Sequence, residues 1–209
     1  MKEYFIPAGY GEIEHVEKKS RFISRVWRVD SEEEAQAHLQ TIRAKHRDAN
    51  HNVWTYRIRE TGVERYSDDG EPQGTSGLPT LYVFSKEEIN NVLCATTRYF
   101  GGTLLGAGGL VRAYSQSAKL ALDAAGVSVV RLWQRILMEC SYGQYERLSK
   151  MANENGATIE NTDFAAQVTL RLLVPHDNVD QFLAHMTEAS AGTAQLSCVD
   201  TEELAVRIR

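Results

Sequence analysis

Arg98–Tyr114, RYFGGTLLGAGGLVRAY, decides how this chain is read. The run that leads into it, EEINNVLCATTRYF (87–100), is rich in β-branched and aromatic residues and predicts a strand. Beyond it, Leu110, Val111, Tyr114, Ala118, Ala121 and Leu122 recur at helical spacing, and Gly126 is placed to stop that helix in a left-handed cap. Between strand and helix lie Gly101, Gly102, Gly106, Gly108 and Gly109. Glycine admits positive φ and lets a ligand reach bare N–H groups, and a helix N-terminus adds unpaired donors and about half a positive charge. An anion is the natural guest, with Arg98 at the strand end, Arg112 in the first helical turn, and Tyr99 and Tyr114 beside them. The same glycines would also serve close packing of helix on strand. There is no GxxxxGK[ST], and GAGGLV from Gly106 departs from GxGxxG at its last position.

Working upstream, SDDGEPQGTSGLPT (67–80) holds three glycines and two prolines, too many breakers for a strand, with a short helix predicted within 75–84. Asp68, Asp69 and Glu71 admit two readings, a Mg²⁺ or acid–base site and a plain turn, with Gly70, Pro72, Gly74 and Thr75 shaping the loop. The turn is the favoured reading for Asp68 and Glu71, and no metal or cofactor is expected. Before this loop, HNVWTYRIRE and VERYSD form a hairpin about 60–62. A helix starting after Asp30–Ser31 carries Ala35, Leu39 and Ile42 on one face. The first strands, in GYGEIEHVEKKSRFISRVWRV, join at 17–20. Lys18–Arg28 interleaves basic and aromatic residues, a pattern that suits a phosphate backbone, although a solvated basic face is its more common outcome.

Downstream, the order is strand ILMECSY, helix QYERLSKMANENG, strands ATIENTD and AAQVTLRLLV, helix HDNVDQFLAHMTEAS and strand TAQLSCVD, with TEELAVRIR as a sheet extension or a tail. That βαββαβ order is the split βαβ arrangement of a ferredoxin-like fold. The chain is therefore read as α+β, with domains 1–133 and 134–209. Charge changes at the same place: residues 1–135 carry 18 Lys+Arg and 17 Asp+Glu, and residues 136–209 carry 5 and 11. A polyanion would meet the first domain, and a protein partner could use the acidic second one.

With 209 residues and 43% hydrophobic content, the chain can bury a real core. No apolar run is long enough to span a bilayer and no signal peptide is recognisable, so the expected address is the cytoplasm, away from membranes. Cys94, Cys140 and Cys198 are far apart and read as buried thiols rather than a disulfide framework. Six histidines form no HExxH, and His51, beside Asn52 and Trp54, reads as a solvated strand histidine.

SDDGEPQGTSGLPTL and TRYFGGTLLGAGGLVRAYSQSAKLAL together closely resemble the two signature stretches of the IMPACT family, including its bacterial YigZ-type members. Ser76 and Leu78 stand where the family pattern has alanine and a basic or polar residue. The resemblance extends over nearly the whole chain. It implies a first domain like ribosomal protein S5 domain 2, a fold also seen in elongation factor G and in small-molecule kinases. It implies a second domain like the ferredoxin-like module that ends elongation factor G. Both point toward RNA and the ribosome. Eukaryotic IMPACT proteins act in translational control through a further N-terminal protein-binding domain, which these 209 residues do not include. The leading expectation is a non-catalytic RNA- or ribosome-associated factor in the regulation of translation, with a phosphate-binding glycine loop. The alternatives are an enzyme acting on a small phosphorylated or nucleotide substrate, and a protein-interaction adaptor.

Overall fold

Alternating apolar positions in the N-terminal half build a five-stranded antiparallel sheet, in the order β2-β3-β6-β4-β5. Its strands are β2 (Gly11–Glu17), β3 (Ser20–Arg28), β4 (His51–Ile58), β5 (Val63–Ser67) and β6 (Val92–Tyr99). In the computed structural model, residues 3–209 are described and fall into two units: 4–130 with 205–209, and Glu3 with 131–204.

In the first unit the sheet is covered on both faces, because successive side chains of a strand point opposite ways. Helix α1 (Glu32–Lys45) lays Ala35, Leu39 and Ile42 on Tyr56, Ile58, Leu93 and Ala95. Ser31 starts that helix by accepting the Glu34 N–H at 3.2 Å. On the other face, helices α2 (Gly77–Lys86) and α3 (Ala107–Ala125) pack Phe84, Ala118, Ala121 and Leu122 on Val26 and Cys94. Nearer the glycine loop, α3 packs Leu110, Ala113 and Tyr114 on Phe22 and Val53.

The structure corrects several boundaries. The strand expected from residue 87 begins at Val92, since α2 runs on to Lys86 and the intervening turn holds Glu88 and Asn91 at positive φ. Helix α3 begins at Ala107, so Gly108 and Gly109 are helical and Arg112 lies in its second turn rather than its first. Strand β1 (Tyr4–Pro7) was not expected; it pairs antiparallel with Val127–Val130, the start of β7 (Val127–Cys140).

The second unit takes the rest of β7, then α4 (Tyr142–Glu154), β8 (Thr158–Phe164), β9 (Val168–Pro175), a 3-10 turn (His176–Asn178), α5 (Val179–Ala189) and most of β10 (Gln195–Arg207). β10 pairs with β7, β7 with β9, and β9 with β8. Ile136, Met138, Cys140, Leu170 and Leu172 form its core with Leu148, Phe182 and Met186 from the two helices. From a neighbouring position on β7, Arg135 reaches Glu160 at 2.8 Å and Asp200 at 2.6 Å, joining three strands. Cys94 and Cys140 are buried, but Cys198 is exposed on β10, contrary to the reading of three buried thiols.

Candidate functional site

Strand alternation separates the two residues that end β6. Arg98 turns to the α3 face and is 5% exposed, while Tyr99 turns to the α1 face, where its hydroxyl meets His46 Nδ1 at 2.9 Å and donates to Asp48 at 3.3 Å. The Arg98 guanidinium donates from Nη1 to Glu71 Oε1 at 2.6 Å and from Nη2 to Ser20 Oγ at 3.4 Å. The Tyr114 hydroxyl donates to the same Glu71 oxygen at 2.7 Å. Burial, followed by the charge of Glu71, pushes the Tyr114 phenol above its ordinary range. Arg98 is therefore an internal partner of Glu71, not the free fork for phosphate that its position beside the glycines suggests.

His51 lies opposite Arg98 in the β4–β6 register. It is not a plain solvated strand histidine. Its Nδ1 is 2.8 Å from the Asp69 carbonyl oxygen, which can only accept, so Nδ1 carries the proton. In the neutral ring Nε2 is then a bare acceptor, and it faces Glu71 Oε2 at 3.8 Å.

The 67–77 loop holds Glu71 in place through Asp68, whose carboxylate accepts from Gly74 N–H at 2.8 Å, Ser76 Oγ at 2.7 Å, Ser76 N–H at 3.2 Å and Gly77 N–H at 2.8 Å. Asp69, at φ +44°, takes the Asn52 N–H at 2.6 Å, and Thr75 Oγ1 donates to the Pro72 carbonyl at 2.6 Å. The three carboxylates thus have separate duties. Among the described residues no three His, Cys, Asp or Glu side chains converge in a way that could hold a metal ion.

Burial raises the Asp68 pKa, but the hydroxyl and N–H donors outweigh it and hold the group below its ordinary 3.8. A depressed carboxyl stabilises the fold fully above its unfolded value and loses that contribution as pH falls through the folded one. Asp68→Ala is expected to cost about 2 kcal/mol at neutral pH, read from urea denaturation, and the difference from the parent should shrink below about pH 4.

The five glycines divide by role. An added Cβ at Gly101 would overlap the backbone of Lys19 and Ser20, so that position is a close approach. Gly102 and Gly106 hold φ of +82° and +72°, which turn the chain into α3. Gly108 and Gly109 sit in the helix's first turn. Gly106 provides no side-chain cap, and the first intrahelical bond is Leu110 N–H to Gly106 O at 3.0 Å. The N–H groups of Ala107, Gly108 and Gly109 consequently have no intrahelical acceptor.

Both motifs meet in one cavity of about 410 Å³. Buried Glu71 and Arg98 and half-buried His51 line it, with exposed Gly70 and Pro72 from the 67–77 loop and Gly106 and Ala107 from the start of α3. The rim includes Phe100, 44% exposed, and Leu104, 82% exposed. Tyr99 and Arg112 do not line it, and Arg112 stands exposed on α3. On the basic strand, Arg21, Arg25 and Arg28 are paired with Glu14, Glu12 and Asp30. His51 and Asn50 line the cavity from outside both motifs, and sequence reasoning did not place them here. The cross-strand pairing of His51 with Arg98 is the signal that would have found the first of them.

No helix among the described residues is long and apolar enough to cross a membrane. Residues 18–122 match the family model described as the Impact N-terminal domain, and residues 138–193 match a domain of unknown function, DUF1949. The chain is 34% identical over 197 residues to IMPACT family member YvyE of Bacillus subtilis, covering 94% of this chain and 91% of that one. It is 32% identical over 203 residues to IMPACT family member YigZ of Escherichia coli, covering 96% and 100%. A solved structure described only as that of a hypothetical protein is similar at 32% identity and a TM-score of 0.59, over 96% of this chain and 98% of that one. On its matched domains and these relatives, the chain belongs to the IMPACT family.

Proposed function

We propose that this protein is a non-catalytic RNA- or ribosome-associated factor that seats a phosphate at the first turn of α3. The observation that carries the reading is the convergence of the glycine loop, the 67–77 loop and an uncapped helix N-terminus on one cavity. An uncapped N-terminus of a 19-residue helix offers donors and partial positive charge where an anion can reach them. The spatial order β10-β7-β9-β8 supports a ferredoxin-like second domain, and the sheet with helices on both faces is compatible with an S5 domain 2-like first one. Those likenesses make translation the natural setting, by analogy of fold.

Purified protein should co-sediment with ribosomes and bind single-stranded RNA at low salt, with affinity falling as salt rises. Arg112→Ala should lower the slope of log affinity against log salt by about one, since its exposed cation sits one turn from the seat. Absence of both RNA and ribosome binding at low salt would overturn the reading.

One observation favours a second reading, an enzyme acting on a small phosphorylated or nucleotide substrate: an imidazole oriented through Nδ1 with Nε2 bare beside a buried carboxylate. Chemical change in a nucleotide incubated with protein and Mg²⁺, lost in His51→Ala, would establish it.

A further inference from the structure

We infer that the cavity is specific for a ribonucleotide unit, whose 2′-hydroxyl shares its one proton between the facing acceptors His51 Nε2 and Glu71 Oε2. The inference rests on the proposed phosphate seat and adds to it a requirement that a bare phosphate, or DNA, does not meet.

With Nδ1–H committed to the Asp69 carbonyl, neutral His51 turns a lone pair toward a carboxylate oxygen 3.8 Å away, too far for a direct hydrogen bond and of the wrong polarity for one. Glu71 is 97% buried at its side chain, and Arg98 and Tyr114 both donate to Oε1. Oε2 has no donor within hydrogen-bond distance among the described residues. Oε2 is not among the buried polar atoms left without a partner, so it opens on the cavity, where a guest hydroxyl can take the place of water. A phosphate diester carries no such donor; a ribose does, through its 2′-hydroxyl.

The remaining walls fit the rest of a nucleotide. Taken as a sphere, 410 Å³ is about 9 Å across, the scale of one nucleotide rather than a duplex. Unpaired N–H groups at the start of α3 suit the phosphate. Phe100 and Leu104, apolar and exposed at the rim, offer a base the flat apolar contact it has in a strand stack. Arg98 adds a buried Nε–H without a hydrogen-bond partner.

The test is fluorescence anisotropy at low salt with three matched pentanucleotides: RNA, DNA and 2′-O-methyl RNA, which keeps the substituent but not its proton. RNA should bind about tenfold more tightly than the other two. His51→Phe should remove that preference by weakening RNA alone, with an unchanged circular dichroism spectrum and melting temperature reporting an intact fold. Arg112→Ala should weaken all three alike. Equal binding of RNA and 2′-O-methyl RNA, or a preference that survives His51→Phe, would overturn the hydroxyl assignment while the phosphate seat stands. Failure of all three to bind would overturn both.

Discussion

Glu71→Ala is expected to lower the unfolding free energy by about 3–5 kcal/mol, the largest effect of any single side-chain truncation in the site. The reason lies in what it strands. Arg98 and Glu71 are 6% and 3% exposed at their side chains, and Arg98 runs under the rings of Phe22 and Phe100. Removing the carboxylate leaves a guanidinium buried without a counter-charge and takes away the acceptor of the Tyr114 hydroxyl. Replacing the pair together, as Glu71→Leu with Arg98→Met, should recover most of the loss, because the desolvation of both ions disappears along with their attraction. Urea denaturation of the parent, the two single variants and the double variant closes the cycle. A single-variant cost under about 1 kcal/mol would mean that the pair is effectively solvated. The double variant should also lose the preference for RNA, since it removes one of the two acceptors.

What was legible in the sequence follows from how local each signal is. The β2–β3 and β4–β5 hairpins are visible because alternation and turn residues lie within one short window. The start of α3 is harder, since Gly108 and Gly109 are poor helix formers and the apolar period begins only at Leu110. Four-residue β1 has too little alternation to register, and it exists only because β7 extends nine residues ahead of Ile136 to meet it. The two motifs of the site were visible as motifs, but not the tie between them. Arg98 and Glu71 are 27 positions apart, and only the fold brings them to 2.6 Å. Arg98 looks like a phosphate fork in a string of glycines because a sequence shows its charge and hides its burial. His51 was passed over for the opposite reason: its role comes from a backbone carbonyl at Asp69, and carbonyls are invisible to motif reading.

Gly101 and Gly108 separate structure from binding within the same loop. Gly101→Ala should destabilise by about 3 kcal/mol, because the new methyl overlaps the backbone of Lys19 and Ser20, which cannot give way as a side chain would. It should also disturb the Gly101 N–H bond to Ser20 Oγ, 3.2 Å long, and with it the hydroxyl that Arg98 Nη2 uses. RNA binding should fall with stability in this variant. Gly108→Ala should do the reverse on stability, raising it by about 0.5–1 kcal/mol, since it adds alanine to a helix where the nearest neighbour of the new Cβ is Arg112 Nη1 at 3.7 Å. Yet a helical Cβ leans toward the N-terminus, which puts that methyl over the unpaired first-turn donors. Binding should therefore weaken several-fold in a protein that melts higher than its parent. Thermal melts and anisotropy on the same preparations read both quantities. A Gly108→Ala protein that is more stable and binds RNA unchanged would remove the first turn of α3 as the phosphate seat, because no loss of fold could then be concealing its contribution.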